Sequence, residues 1–171
     1  MTEQKRRLNI VVLTASDRAS RGEYEDRSGP LAEALTCRFL HSQGFAMTCE
    51  RKIVPDDTAL IREELSHAAA GGADIVLTIG GTGIGPRDVT PEATRSVLDK
   101  EIPGIAAAVQ ARYRDTYPAV LLSRAVAGVR GRTLIVNLPG SVKAVSECLD
   151  VILPVVPHAL EMIAGGQTHP D

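Results

Sequence analysis

The chain has 171 residues, 44% hydrophobic and 23% charged, which suits one domain with a substantial buried core. Its formal net charge is -2, only 3% of residues are aromatic and none is Trp. No basic surface and no aromatic stacking platform are therefore expected for nucleic acid, and the core must be built from Val, Ile, Leu and Ala.

In chain order, Lys5-Arg6-Arg7 is a short, isolated basic cluster and reads as solvated; residues 1–7 and 165–171 are expected to be flexible tails around a single domain. Residues 1–9 lack the apolar run of a secretory leader, and no stretch is long enough to span a membrane. Leu8 to Thr14 is a continuous apolar run, the pattern of a strand covered on both faces. After a polar stretch to Arg27, Ser28-Gly29-Pro30 offers an N-cap with Pro just inside a helix. Leu31, Leu35 and Leu40 continue that helix, and Gly44 ends it.

Phe45 to Val54 predicts a second strand, and Thr58 to Ala70 a helix stopped by Gly71-Gly72. Asp74 to Ile79 is a third buried strand that runs into Gly80-Gly81-Thr82-Gly83. Thr90-Pro91-Glu92 starts a helix with Thr as N-cap, and another helix runs from Pro103 to about Tyr113. Two apolar runs around Arg130-Gly131-Arg132 signal a hairpin, whose second strand enters Asn137-Leu138-Pro139-Gly140. Helices from Ser141 to about Leu149 and from Pro157 to Ile163 complete the chain.

Strands alternating with helices argue for an α/β fold, with a mostly parallel sheet, helices on both faces and one antiparallel hairpin. Ligands collect beyond the carboxyl ends of such strands, so the loops 15–27, 54–57, 80–90 and 137–143 share one candidate rim.

Cys37, Cys49 and Cys148 are widely spaced and form no CxxC, so neither a disulfide framework nor a zinc site is expected and a reducing cytoplasm is the default. The four His residues show no metal-binding pairing.

Gly80 to Asp88 carries the strongest local signal. Four glycines in six residues free the backbone to approach a ligand, and successive N–H groups can cradle phosphate at a helix N-terminus. No GK[ST] follows, so it is not a P-loop, and the pattern alone leaves a plain tight turn open. Asp56 and Asp88 end two of the rim loops. Two carboxylates beside a phosphate site suit Mg²⁺; taken singly, each is more readily a helix cap, Asp56 or Asp57 for the helix from Thr58 and Asp88 for the one at Thr90. Asp17 and Arg18, Ser123 and Arg124, and Asn137 through Lys143 are further rim positions, each also readable as ordinary surface or capping residues.

Taken together, the motifs resemble a known family. Ser16-Asp17, Asp26-Arg27-Ser28-Gly29-Pro30 and Val54-Pro55-Asp56 are followed by Gly80-Gly81-Thr82-Gly83 and by Pro86-Arg87-Asp88-Val89-Thr90-Pro91. Leu122-Ser123-Arg124, Gly131-Arg132-Thr133 and Asn137-Leu138-Pro139-Gly140 come later in the same order. Over roughly residues 8–164 the chain is similar to the molybdopterin adenylyltransferases of MogA/MoaB type and to the G domains of gephyrin and the plant Cnx proteins.

The resemblance implies a three-layer α/β/α molybdopterin-binding domain, a homotrimer, and ATP with Mg²⁺. It implies that Asp56 and Asp88 are the catalytic, metal-holding aspartates. Gly80, Gly81, Thr82 and Gly83 would wrap the nucleotide. Ser123, Asn137, Pro139 and Gly140 would lie near the pterin and nucleotide pockets, with Asp17 on the same rim. The implied reaction moves AMP from ATP to the terminal phosphate of molybdopterin, and a separate molybdate-insertion protein would take the product. A non-catalytic trimeric pterin carrier is the alternative. A nucleotide hydrolase or deamidase of the competence-damage type is disfavoured by the order of the motifs.

Overall fold

Four strands carry their apolar residues in register, and that register builds one rim. In the computed structural model, which describes residues 6–166, β1 (Leu8–Ala15) pairs in parallel with β2 (Met47–Val54) and with β3 (Ile75–Ile79). β3 pairs in parallel with β6 (Thr133–Leu138). Ala15 stands opposite Val54, Thr14 opposite Ile79 and Ile79 opposite Leu138, so all four strands end together. The sheet order is β2-β1-β3-β6-β5-β4.

The expected hairpin is present: β5 (Ala127–Arg130) runs antiparallel to β6 through Gly131 and Arg132. Gly131 takes a positive φ of 55, which the two-residue turn requires. The two-residue β4 (Lys100–Glu101) adds a second antiparallel pairing that the hydrophobic pattern did not reveal.

Side chains alternate across β3 and β6, and each face buries its own cluster. On one face Ile75, Leu77, Ile79, Leu134, Val136 and Leu138 pack beneath α2 (Ser28–Ser42), α5 (Pro103–Tyr113), α6 (Val142–Ile152) and α7 (Val156–Ile163). On the other, Val76 and Ile135 join Ile61 and Leu65 of α3 (Thr58–Ala70) and Ala93 of α4 (Thr90–Arg95). Every residue of β3 and β6 is buried, as continuous apolar strands between two helical layers require. This is the expected three-layer α/β/α arrangement.

Several boundaries differ from the sequence reading for local reasons. Ser28 does not cap α2: Asp26 Oδ1 accepts from Gly29 N at 2.9 Å, and the Ser28 hydroxyl donates to Gly140 O at 2.7 Å. Thr90 likewise lies inside α4, whose flanking residue is Val89. Phe45 is buried ahead of β2 instead of opening it, and a four-residue helix, α1 (Asp17–Ser20), is capped by Ser16. Pro118–Leu122 forms a 3₁₀ turn where no element was expected.

Residues 1–5 and 167–171, most of the expected tails, lie outside the described residues. Arg6 pairs with the buried carboxylate of Asp74, which also accepts from Asn9 N at 2.8 Å. Among the described residues no helix is long and apolar enough to cross a membrane.

Candidate active site

The common end of the parallel strands delivers three segments to one place. After β1 and β2, Asp17 and Asp56 exchange bonds: Asp17 N donates to Asp56 Oδ2 at 2.9 Å, and Asp56 N donates to Asp17 Oδ1 at 3.1 Å. Arg87 then closes on Asp17 through Nε at 3.0 Å and Nη2 at 2.9 Å. Asp57, not Asp56, caps α3, accepting from Ala59 N and Leu60 N at 2.9 Å. The capping role open to Asp56 is thereby taken by its neighbour, and Asp56 Oδ1 accepts no hydrogen bond among the described residues.

After β3 the chain turns through Gly80 (φ 92) and Gly81 (φ 65), which only glycine adopts without strain. A Cβ on Gly81 would lie 3.4 Å from Asp56 Oδ1. A Cβ on Gly83 would lie 2.8 Å from Asp88 Oδ2, which accepts from Gly85 N at 2.8 Å. Asp88 is therefore held by its own loop rather than capping α4. The two carboxylates stand against opposite ends of one glycine turn, and the charge of Asp88 is felt at Asp56. The N–H groups of Gly81, Thr82 and Gly83 have no acceptor among the described residues, whereas Gly80 N is spent on Leu138 O. Three successive open donors form a cradle for an anion.

Burial is the largest influence on Asp56 and pushes its carboxyl above the usual range; Asp17 and Asp88 add to this, while the Asp17 N–H and Arg87 oppose it. A carboxyl raised on folding stabilises the fold below its unfolded value, and that contribution is lost as pH rises through the folded value. At neutral pH the ionised Asp56 is thus a cost to the fold. Asp56→Asn is expected to melt at the same or a higher temperature than the parent at pH 7, with the difference vanishing toward about pH 4. Thermal denaturation across that range checks it, and a lower melting temperature at neutral pH contradicts it.

Beside the turn lies a cavity of about 590 Å³ on the α5/α6 side of the sheet. Ile105, Val109, Val120, Val136 and Ile152 supply its apolar wall, and Gln110, Ser123, Ser141, Lys143 and Glu147 its polar groups. Such a mixture suits a flat heterocycle with polar edges. Thr82, Gly83, Ser123, Pro139 and Gly140 line it, so the turn is shared by the carboxylates and the cavity. The Ser123 hydroxyl accepts from Ala125 N at 3.3 Å.

Asn137 also borders the cavity, but its amide is committed elsewhere. Nδ2 donates to Thr78 Oγ1 and Thr94 Oγ1, each at 2.8 Å, and Oδ1 accepts from Val126 N at 3.1 Å. Asp17 is similarly engaged, by Asp56 N and Arg87.

Arg124, read from the sequence only as a rim position, makes three side-chain bonds at the site. Its Nε donates to Gly83 O at 2.7 Å, its Nη2 to Asp88 O at 2.6 Å, and its Nη1 pairs with Glu92. Arg87 was also missed as the partner of Asp17. The motifs contained both residues, but nothing in their spacing showed what each would reach.

No group of three or more His, Cys, Asp or Glu side chains able to hold a metal occurs among the described residues. The pair Asp56 and Asp88 nevertheless fits Mg²⁺ arriving with a nucleotide, because that ion takes one or two carboxylates and completes its shell with phosphate and water. Asp56 Oδ1, which accepts no hydrogen bond among the described residues and stands against the Gly81 turn, is the oxygen left for such a cation. Burial pushes Cys49 up to about 12 and Cys148 up to about 11, so neither thiol is a nucleophile at neutral pH.

The chain is similar to known proteins along most of its length. Residues 11–158 match the family described as "Probable molybdopterin binding domain". The chain is 38% identical over 159 residues to a molybdopterin adenylyltransferase of Helicobacter pylori, covering 92% of this chain and 89% of that protein. It is 42% identical over 160 residues to gephyrin of Dictyostelium discoideum, spanning 90% of this chain but 22% of that protein. A solved MogA structure superposes with a TM-score of 0.82 at 41% identity, covering 91% of this chain and 99% of that one. CinA of Thermoplasma acidophilum, 18% identical with a TM-score of 0.62, shares the fold alone. With its motifs on one rim and the match running through almost all of its described length, the chain belongs to the molybdopterin-binding domain family of molybdenum cofactor biosynthesis.

Proposed function

We propose that the protein transfers AMP from ATP to the terminal phosphate of molybdopterin, releasing pyrophosphate. The observation that carries this reading is the open N–H cradle of Gly81, Thr82 and Gly83, flanked by Asp56 and Asp88 and opening on the 590 Å³ cavity. Relatives at 35–38% identity over most of the chain are named molybdopterin adenylyltransferase.

The cavity takes the pterin, with Ser123, Pro139 and Gly140 along its wall, and Lys143 stands among its polar groups as a counter-charge for phosphate. Asn137 shapes that wall from behind through its bonds to Thr78, Thr94 and Val126. The glycine turn holds phosphate oxygens of the nucleotide. A phosphate oxygen of molybdopterin attacks the α-phosphorus of ATP, and the bond to pyrophosphate breaks. The attacking oxygen is already anionic, so no strong base is needed and the protein's task is positioning and charge placement. Asp56 and Asp88 would hold Mg²⁺, which when bound supplies neutralisation of the reacting phosphates.

We extend the proposal to a homotrimer acting in the cytoplasm, with a separate molybdate-insertion protein receiving the product. Exposed Tyr117, Leu121 and Leu122 offer an apolar face for a second copy beside the cavity. Incubation with molybdopterin, Mg-ATP and pyrophosphatase tests the reaction: adenylated pterin and phosphate are expected. Tight pterin binding without adenylated product would identify a carrier instead.

A further inference from the structure

We propose that Arg124 is a positioning residue that holds the loop from Gly83 to Asp88 in its working shape. The inference rests on the adenylyl-transfer reading for its kinetic consequence, but not for its structural content. The loop leaves β3 at Ile79 and reaches α4 only at Thr90, so its shape depends on bonds made to it from outside. Arg87 makes one such tie, to Asp17, and Arg124 makes the others. The Arg124 backbone N donates to Thr82 O at 2.9 Å, and its guanidinium spans from Gly83 O to Asp88 O. These two carbonyls are five residues apart in sequence, at either end of the segment that carries the Asp88 carboxylate. A planar guanidinium can serve both at once while its remaining nitrogen faces Glu92.

The loop's own closure is thin. Asp88 N donates to Gly85 O at 3.1 Å and Asp88 Oδ2 accepts from Gly85 N, and both bonds lie within the last four residues of the loop. Arg87 of the same segment also pairs with Asp17, but among the described residues Arg124 alone bonds the carbonyls at both ends of it. Arg124 also sits between Ser123 and Ala125, both on the cavity wall, so the residue that fixes the carboxylate loop is anchored in the pterin side of the site. Through it, the cavity wall and the segment carrying the Asp88 carboxylate are joined by one side chain.

Arg124→Lys keeps the charge and can keep the pair with Glu92, but one ammonium on a flexible stem does not bridge both carbonyls. Glu92→Gln keeps both carbonyl bonds and removes the ion pair. Three measurements separate the roles: hydrogen–deuterium exchange over residues 82–89, pterin affinity by fluorescence, and turnover as a function of Mg²⁺. For Arg124→Lys the expected result is faster exchange in the loop, pterin affinity within about threefold of the parent, and kcat lower by about 100-fold, the scale of a misplacement of about 1 Å. The Mg²⁺ needed for half-maximal rate should rise. Glu92→Gln should stay within about threefold of the parent on all readouts, since a pair this exposed contributes little.

Unchanged loop exchange in Arg124→Lys overturns the proposal. So does an equal loss of turnover in Glu92→Gln, or a loosened loop that still turns over normally. If the parent protein makes no adenylated pterin while the loop loosens as described, the functional reading fails and the structural role of Arg124 stands.

Discussion

Asp88→Asn is expected to fold and bind molybdopterin as the parent does, yet to form adenylated product about 100- to 1000-fold more slowly. The fold should survive because Asp88 contributes little to it: its carboxylate accepts one backbone bond, from Gly85 N, and the amide oxygen of Asn can accept the same bond. What the substitution removes is a negative charge beside the glycine turn, opposite Asp56. Through the Mg²⁺ it would hold, such a carboxylate is expected to lower the barrier by about 3 kcal/mol or more, the scale of one preorganised charge stabiliser. The chain has no Trp, so pterin fluorescence reports binding without overlap from the protein, while product is counted separately. Turnover within about threefold of the parent would remove Asp88 from the reaction.

Gly81→Ala is the second large effect, and here the fold itself should suffer. Gly81 has a φ of 65, where an L side chain costs about 1–2 kcal/mol. A Cβ built there falls 2.3 Å from Thr90 Oγ1 and 3.3 Å from Thr90 Cβ. Thr90 has no room to retreat, because it is fully buried in the first turn of α4 and its N–H is bonded to Gly81 O at 3.1 Å. Overpacking of that kind adds about 1–3 kcal/mol. The sum, about 2–5 kcal/mol, should lower the melting temperature by roughly 5–15 °C in a domain of this size. Adding Thr90→Ala to the same chain removes the hydroxyl and should restore part of the loss, leaving the backbone strain. A melting temperature for Gly81→Ala equal to the parent's would show that the turn does not constrain this position.

The buried Thr90 hydroxyl, which has no hydrogen-bond partner among the described residues, has the same origin. The sequence pattern Thr-Pro-Glu reads as a cap followed by a first helical residue, and the rule fails because Val89 takes the flanking place and Thr90 is drawn under the glycine turn. Ser28 fails in the same way: Asp26, two residues earlier, accepts from Gly29 N, and the Ser28 hydroxyl is used to bind Gly140 O across the rim. In both cases a tertiary contact outcompeted a local preference worth about 1 kcal/mol.

Much of the architecture is local and was therefore readable. The run Asp74–Ile79 buries on both faces and most of Leu8–Thr14 does so, and Gly131 turns a hairpin because its φ must be positive. Alternation of these runs with amphipathic helices leaves a parallel sheet as the economical solution. The clustering of loops at one rim follows from that topology alone.

The partners across the rim were not readable. Whether Asp56 or Asp57 capped α3 depended on backbone angles after Pro55. The reciprocal Asp17–Asp56 bonds, the closure of Arg87 on Asp17 and the reach of Arg124 to Gly83 and Asp88 join residues 36 to 70 positions apart. The commitment of Asn137 to Thr78 and Thr94 likewise crosses from strand to strand and from strand to helix. By itself the sequence determined every strand but the two-residue β4, most helices and the rim, because periodicity and turn chemistry act between near neighbours. Which carboxylate stays open, which arginine holds the loop and which polar side chain is spent inside were decided only by folding, because a hydrogen bond needs angstrom-scale placement that spacing along the chain does not encode.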